Sequence, residues 1–153
     1  SGSLRCLPCR GIPFRMVKFR TMVADAEDGT PLLAVSDDCR VTPFGRTLRK
    51  HHLDELPQFW NVLKGDMSIV GPRPERAYFV QQILKKEPRY KQVFRLKPGI
   101  TSLGMVKFGY ANTTEKMVER ARYDLYYLEH YSFWLDIKIL LATVREVWIG
   151  KGI

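Results

Sequence analysis

The chain has 153 residues, of which 45% are apolar, 12% aromatic and 27% charged. That is about one domain, long enough to bury a core, and the composition excludes a disordered or low-complexity protein. With 25 Lys and Arg against 16 Asp and Glu, the net charge is +9, which points to an anionic partner: nucleic acid, an anionic membrane surface or a phosphorylated small molecule. Three cysteines are too few for a disulfide framework, and Cys6-Leu7-Pro8-Cys9 is a lone CxxC with no second pair to complete a zinc site. No stretch approaches the ~18 apolar residues that span a bilayer, and no signal peptide is recognisable. Ser1-Gly2-Ser3 reads as a linker or tag remnant, so residues 1–10 are expected to be an arm ahead of a domain over 11–153.

Phe14 to Arg20 alternates and predicts a short strand with Phe14, Met16, Lys18 and Arg20 on one face. Residues 24–38, acidic and containing Gly and Pro, predict a short helix followed by a loop. Val41 to Lys50 predicts a turn into a short helix that sets Arg46, Arg49 and Lys50 ahead of an acidic pair. Leu53, Leu56, Trp60 and Leu63 then recur at spacings of three, four and three, which predicts an amphipathic helix with one buried stripe. Pro57 fits only the first turn of such a helix. Beyond Gly65, Met67–Val70 predicts a buried strand, and Gly71-Pro72-Arg73-Pro74 a turn that restricts the backbone on both sides of Arg73. A helix over 75–87 follows, then strand, Pro-Gly turn and strand over 94–101, an irregular stretch to Asn112, and helices over about 115–131 and 132–149. The last has a wide apolar face and a Trp at either end; such a face packs in a core or lies in a membrane interface, and the pattern favours the core.

The acidic pair Asp54-Glu55 carries the chemistry. Side chains at consecutive helical positions diverge by ~100°, so the two cannot form one symmetric clamp and two roles are implied. One carboxylate can attack a phosphoryl group as a nucleophile while its neighbour holds Mg²⁺ against the phosphates. Alone, an Asp-Glu pair at a helix start is more often a cap that compensates the macrodipole. Phosphate oxygens also need cations, and Lys18, Arg20, Arg40, Arg49, Arg73 and Lys97 stand in or beside the same segments. His51 and His52 have no spaced His or Cys partner and read as solvent-facing or positioning groups.

Lys18-Phe-Arg-Thr-Met22, Arg40-Val-Thr-Pro-Phe-Gly45, Leu53-Asp-Glu-Leu-Pro-Gln58, Asn61-Val-Leu-Lys-Gly-Asp-Met-Ser68, Val70-Gly-Pro-Arg-Pro-Glu75, Lys97-Pro-Gly-Ile-Thr101 and Tyr123-Asp124 follow one another in an order that resembles the bacterial sugar transferases. These are monotopic phosphoglycosyltransferases that initiate exopolysaccharide, capsule, O-antigen or glycoprotein glycan assembly. The resemblance covers about residues 11–152. It implies transfer of a sugar phosphate from a UDP-sugar to polyprenyl (undecaprenyl) phosphate with release of UMP, at the cytoplasmic face of the bacterial inner membrane. It further implies Asp54 as nucleophile, Glu55 with Mg²⁺, and Lys18, Arg20, Arg49 and Arg73 along the path of the phosphates. Family members carry an N-terminal re-entrant hydrophobic hairpin that this sequence does not include, and many have Gln where Met105 follows Gly104, a position that bears on substrate choice if it touches the nucleotide or sugar.

Two other classes compete. Aromatics near cations, among them Phe19, Tyr90, Phe94 and Tyr110, suit a nucleic-acid-binding module, although no helix-turn-helix, RRM, KH or zinc-finger pattern is present. A basic membrane-surface protein without chemistry is the other. The expected fold is α+β: a helix-rich single domain with a small, partly antiparallel strand set and amphipathic membrane-interface helices. Its site lies where the Asp54 helix meets the Pro-Arg-Pro turn.

Overall fold

The computed structural model describes residues 4–6, 13–24, 26, 31–33 and 38–150. Most of the acidic stretch 24–38 lies outside these, as do Cys9 and the side chain of Cys6.

Strands β1 (Leu4–Cys6) and β2 (Phe14–Met16) pair antiparallel, with Arg5 opposite Arg15. The strand predicted to run to Arg20 stops at Met16. Phe14 and Met16 are buried with Met67, whereas residues 17–20 leave the ladder. Helix α1 (Pro43–Lys50) begins on Thr42, whose hydroxyl accepts from Gly45 N at 3.0 Å, and ends on Arg49 and Lys50, which suit the negative end of the dipole. A Cβ at Gly45 would stand 2.1 Å from the Thr21 carbonyl oxygen. Only glycine lets α1 lie this close to the 18–22 segment.

Next come a 3-10 helix (Leu53–Glu55) and α2 (Gln58–Leu63). The apolar period expected here is present, but its face is reversed. Leu53, Leu56, Trp60 and Leu63 are exposed, Leu63 by 79%, and the buried residues are Gln58 and Asn61. The reason is the Asn61 side chain. Its Oδ1 accepts from Val17 N at 3.0 Å, and its Nδ2 donates to Arg15 O at 2.8 Å and to Asp66 Oδ2 at 3.2 Å, anchoring α2 to the tail of β2 by its polar side.

Strands β3 (Ser68–Val70) and β4 (Gly99–Thr101) pair parallel, Ser68 against Gly99 and Val70 against Thr101. A Cβ on Gly99 would meet Gly71 N at 2.2 Å, so this glycine pair brings the Pro72-Arg73-Pro74 turn against β4. Between the strands run α3 (Ala77–Lys86) and a 3-10 helix over Pro88–Arg95. The latter replaces the strand predicted from Phe94. Pro88 fits a helical first turn, and Tyr90 and Val93, three apart, both point into the core.

Helix α4 (Leu103–Lys107) lies in the stretch predicted to be irregular and is capped by Ser102. Helix α5 (Thr114–His130) sets Met117, Ala121 and Leu125 against Phe79, Val80, Ile83, Tyr90 and Val93, forming the main core. Helix α6 (Phe133–Ile149) buries only Ile139. The core placement favoured for its wide apolar face is therefore wrong: Trp134, Leu141, Val144 and Trp148 face outward, Trp148 by 87%. The architecture is a helix-rich α+β domain with two small two-stranded sheets, one antiparallel and one parallel.

Candidate active site

The 3-10 helix that bears Asp54 is reached through His52, whose φ of 54° is the only positive value at a non-glycine residue among those described. A left-handed residue costs ~1 kcal/mol or more and is tolerated where its surroundings fix it. Here the His52 ring stacks on Tyr110 at 6.0 Å, with Nδ1 and the phenol oxygen 3.3 Å apart. The turn leaves Asp54 6% exposed, and its carbonyl accepts from Phe19 N at 3.0 Å, which fixes the 18–22 segment alongside.

A cavity of about 500 Å³ opens where these segments meet; Lys18, Arg20, Arg49 and Arg73 line it together with Asp54 and Glu55. Arg73 Nη2 donates to Glu55 Oε1 at 3.2 Å, and Lys18 Nζ lies 3.7 Å from the same oxygen. Burial raises the Glu55 carboxyl, but Arg73 and Lys18 outweigh it and hold the group below its ordinary value. Asp54 goes the other way. Burial, with the Glu55 charge adding to it, pushes its pKa above the usual 3.8 against the pull of Lys18, Arg49 and His52. The two neighbours thus have different chemistries, a firmly ionised Glu55 and a desolvated Asp54 with a higher proton affinity. Arg49 is held in place by donating from Nε to Thr21 Oγ1 at 2.8 Å.

Two of the six candidate cations are elsewhere. Arg40 donates from Nε to Asp38 Oδ1 at 2.8 Å and from its Nη nitrogens to the Ala26 and Leu33 carbonyls, so it clamps its own loop. Lys97 is exposed beside Gly65, beyond the end of α2. Spacing along the chain could not reveal that Asp38 claims one guanidinium or that the β4 approach points the other side chain away. His51 and His52 position backbone and ring: His51 Nδ1 meets Val147 O at 3.2 Å, tying α1 to α6.

Sequence reasoning missed Tyr110 and the Glu75–Arg120 ion pair, all of which line the cavity. Burial pushes the Tyr110 hydroxyl up to about 12, so it is a proton donor at neutral pH. Arg120 and Asp124 lie four apart on α5, both buried, a spacing that could have been noticed. Arg73 N–H hydrogen-bonds the Asp124 carboxylate, while Asp124 Oδ1 has no hydrogen-bond partner among the described residues. Met105 is not in this cavity; its sulfur accepts from Arg120 Nη1 at 3.7 Å and it lines a second cavity of about 510 Å³.

Among the described residues no cluster of three or more His, Cys, Asp or Glu could hold a metal by itself. Asp54 and Glu55 on one cavity, with both cation contacts of Glu55 on Oε1, are nevertheless a donor set that would suit Mg²⁺ alongside the oxygens of a bound phosphate. No helix of the described residues is long and apolar enough to cross a membrane.

Comparison with known proteins matches residues 5–150 to the family described as bacterial sugar transferase. A UDP-N-acetylgalactosamine-undecaprenyl-phosphate N-acetylgalactosaminephosphotransferase of Aeromonas hydrophila is 42% identical over 91% of this chain and 33% of its own. A UDP-glucose:undecaprenyl-phosphate glucose-1-phosphate transferase of Klebsiella pneumoniae is 43% identical over 93% of this chain and 31% of its own. An uncharacterized sugar transferase of Bacillus subtilis (strain 168) is 43% identical over 94% of this chain and 67% of its own. The chain thus spans about a third of the length of the first two. With nearly every residue inside the family match, and Asp54, Glu55, Lys18 and Arg73 meeting at one cavity, the chain belongs to the bacterial sugar transferase family.

Proposed function

We propose that this domain catalyses transfer of a sugar-1-phosphate from a UDP-sugar to polyprenyl phosphate, by two displacements at one phosphorus. The observation that carries the reading is the pairing of a buried Asp54 with a Glu55 already held by Arg73 and Lys18, on a cavity lined by four of the candidate cations. Asp54 attacks the sugar-bearing phosphorus, a P–O bond to its carboxylate forms, and the bond to the UMP oxygen breaks. An oxygen of polyprenyl phosphate then attacks the same phosphorus, the acyl-phosphate bond breaks, and the Asp54 carboxylate returns.

Each residue has a defined part. Lys18 and Arg49 favour the ionised form of Asp54 against its burial. Arg73, stiffened by Pro72 and Pro74, offers a planar fork to phosphate oxygens, and Arg20 adds charge at the rim. Glu55 is the residue that would hold Mg²⁺, which supplies neutralisation of the diphosphate when bound. The outward apolar side chains of α2 and α6 suit a lipid surface, which supports a position at a membrane that carries the polyprenyl phosphate; we take this to be the cytoplasmic face of a bacterial inner membrane. The relatives' printed substrates, undecaprenyl phosphate with UDP-N-acetylgalactosamine or UDP-glucose, support the substrate class.

The test is intact-protein mass spectrometry after incubation with Mg²⁺ and a panel of UDP-sugars without acceptor, wild type beside Asp54→Asn. A sugar-phosphate adduct on wild type alone, with UMP release, is expected. An adduct on both proteins, or UMP release undiminished in Asp54→Asn, overturns the assignment of the nucleophile.

A further inference from the structure

The second cavity, of about 510 Å³, differs in character from the first. Arg73, Glu55 and Tyr110 line both and form the partition between them, whereas Asp54 lines only the first. The first cavity carries Lys18, Arg20, Arg49, Arg73, Arg76 and Arg120 against three acids. In the second, among the described residues, the Lys and Arg are only Arg73 and Lys107, set against Glu55 and Glu146, and much of the wall is apolar: Leu53, Leu56, Phe59, Ile100, Val106 and Val147. A nucleoside diphosphate fits the first wall by charge, and a hydrocarbon fits the second.

The second cavity also has an apolar approach. Leu53, Leu56 and Phe59 line it and are exposed at the same time, and they lead directly to Trp60 and Leu63 on α2. On its other side Thr143, Glu146 and Val147 of α6 form the wall, beside the outward Val144 and Trp148. A lipid lying along these helices with its tail at Leu56 would have Arg73 within the same cavity, on the partition next to Glu55.

We propose that the second cavity is the acceptor subsite, seating the phosphate-proximal isoprene units of polyprenyl phosphate, with Arg73 receiving the phosphate and Tyr110 marking the boundary with the donor cavity. This rests on the transfer reaction proposed above and adds where its acceptor lies. It gives the two half-reactions separate chambers that share one arginine: UMP leaves through the cationic cavity, and the acceptor phosphate approaches from the apolar one.

The test uses the full-length enzyme in detergent or lipid nanodiscs and two substitutions, Leu56→Glu at the mouth and Val147→Trp, which fills the cavity from α6. Single-turnover UMP release without acceptor is expected to follow wild type, while KM for undecaprenyl phosphate rises by roughly tenfold or more as apolar contact is lost. An unchanged acceptor KM in both variants, or a rise confined to the UDP-sugar KM, overturns the proposal. A wild type that releases no UMP with any donor sinks the underlying reaction instead. An arm independent of turnover is photolabelling with a diazirine-bearing isoprenyl phosphate. Labels at Leu56, Phe59 or Val106 are expected, and labels confined to the Lys18–Ala24 wall of the first cavity overturn the assignment.

Discussion

Helices α5 and α2 carry the same kind of apolar stripe and put it in opposite places. In α5, Met117, Ala121 and Leu125 pack against α3 and the Pro88–Arg95 helix. In α2 and the turn before it, Leu56, Trp60 and Leu63 of the stripe stay outside while Gln58 and Asn61 go in. Helix α6 sides with α2, burying Ile139 and leaving both of its Trp residues outside. The difference teaches that α5 is seated by its apolar stripe, whereas α2 is seated by Asn61, with Val62 against Phe14, Met16 and Met67, and α6 by Ile139 against Leu103 and Tyr127, which leaves apolar surface for something other than the core.

The largest effect that would test this division is at Asn61. Asn61→Leu puts an apolar side chain at a position 1% exposed and removes the part-buried hydrogen bonds to Val17 N, Arg15 O and Asp66 Oδ2. A loss of about 3–5 kcal/mol in urea unfolding is expected. A cost below about 1 kcal/mol would show that α2 is not anchored by its polar face. On the other side of the comparison, Met117→Ala, at a position 1% exposed, should cost about 2–4 kcal/mol by transfer and cavity terms.

Helix α5 also carries Asp124, whose carboxyl is pushed up to about 7, first by burial. The folded protein therefore binds a proton that the unfolded chain, with an ordinary value of 3.8, gives up. The associated stability is fully present below about pH 4 and is lost as pH rises to about 7, an amount of up to ~4 kcal/mol. Asp124→Asn keeps an acceptor for Arg73 N–H without the charge. Its stability relative to wild type should rise steadily from pH 4 to 8 in thermal unfolding, and a difference that does not vary with pH would contradict the raised value.

Much of this was legible in the sequence, and the failures share a cause. Helices α1, α3, α5 and α6 could be located, the last by its wide apolar face, because a helix's pattern is written in its own residues. Periodicity also recovered the spacing of Leu53, Leu56, Trp60 and Leu63, but a stripe says which side chains share a face and not whether protein meets it. Asn61 decided the matter through contacts to Val17 and Arg15, residues 44 and 46 positions away. The Pro88–Arg95 helix was hidden for a related reason: alternation near Phe94 resembles a strand when its three-residue packing is not known. At the site, Asp54, Glu55, Lys18, Arg49 and Arg73 could be named from ordered motifs, and the structure brings them to one cavity. Arg40 could not be separated from them, since its attachment to Asp38 is a matter of side-chain geometry. Tyr110 stood in a stretch without pattern, and only the fold places it between two cavities.

The smallest expected change in stability is also the sharpest test of what the outward stripe is for. Leu63→Ser and Trp148→Ser, made together, remove two of the most exposed apolar side chains on α2 and α6. Because neither is packed, the melting temperature should hardly move, with a change within about 0.5 kcal/mol for each. Binding to vesicles containing anionic lipid should nonetheless weaken by roughly tenfold or more, since each side chain would otherwise leave water for the interface. Intact folding with lost vesicle binding would mean that these helices hold their apolar side for lipid. Unchanged vesicle binding would shift the contact to the basic surface, and binding should then collapse at high salt instead.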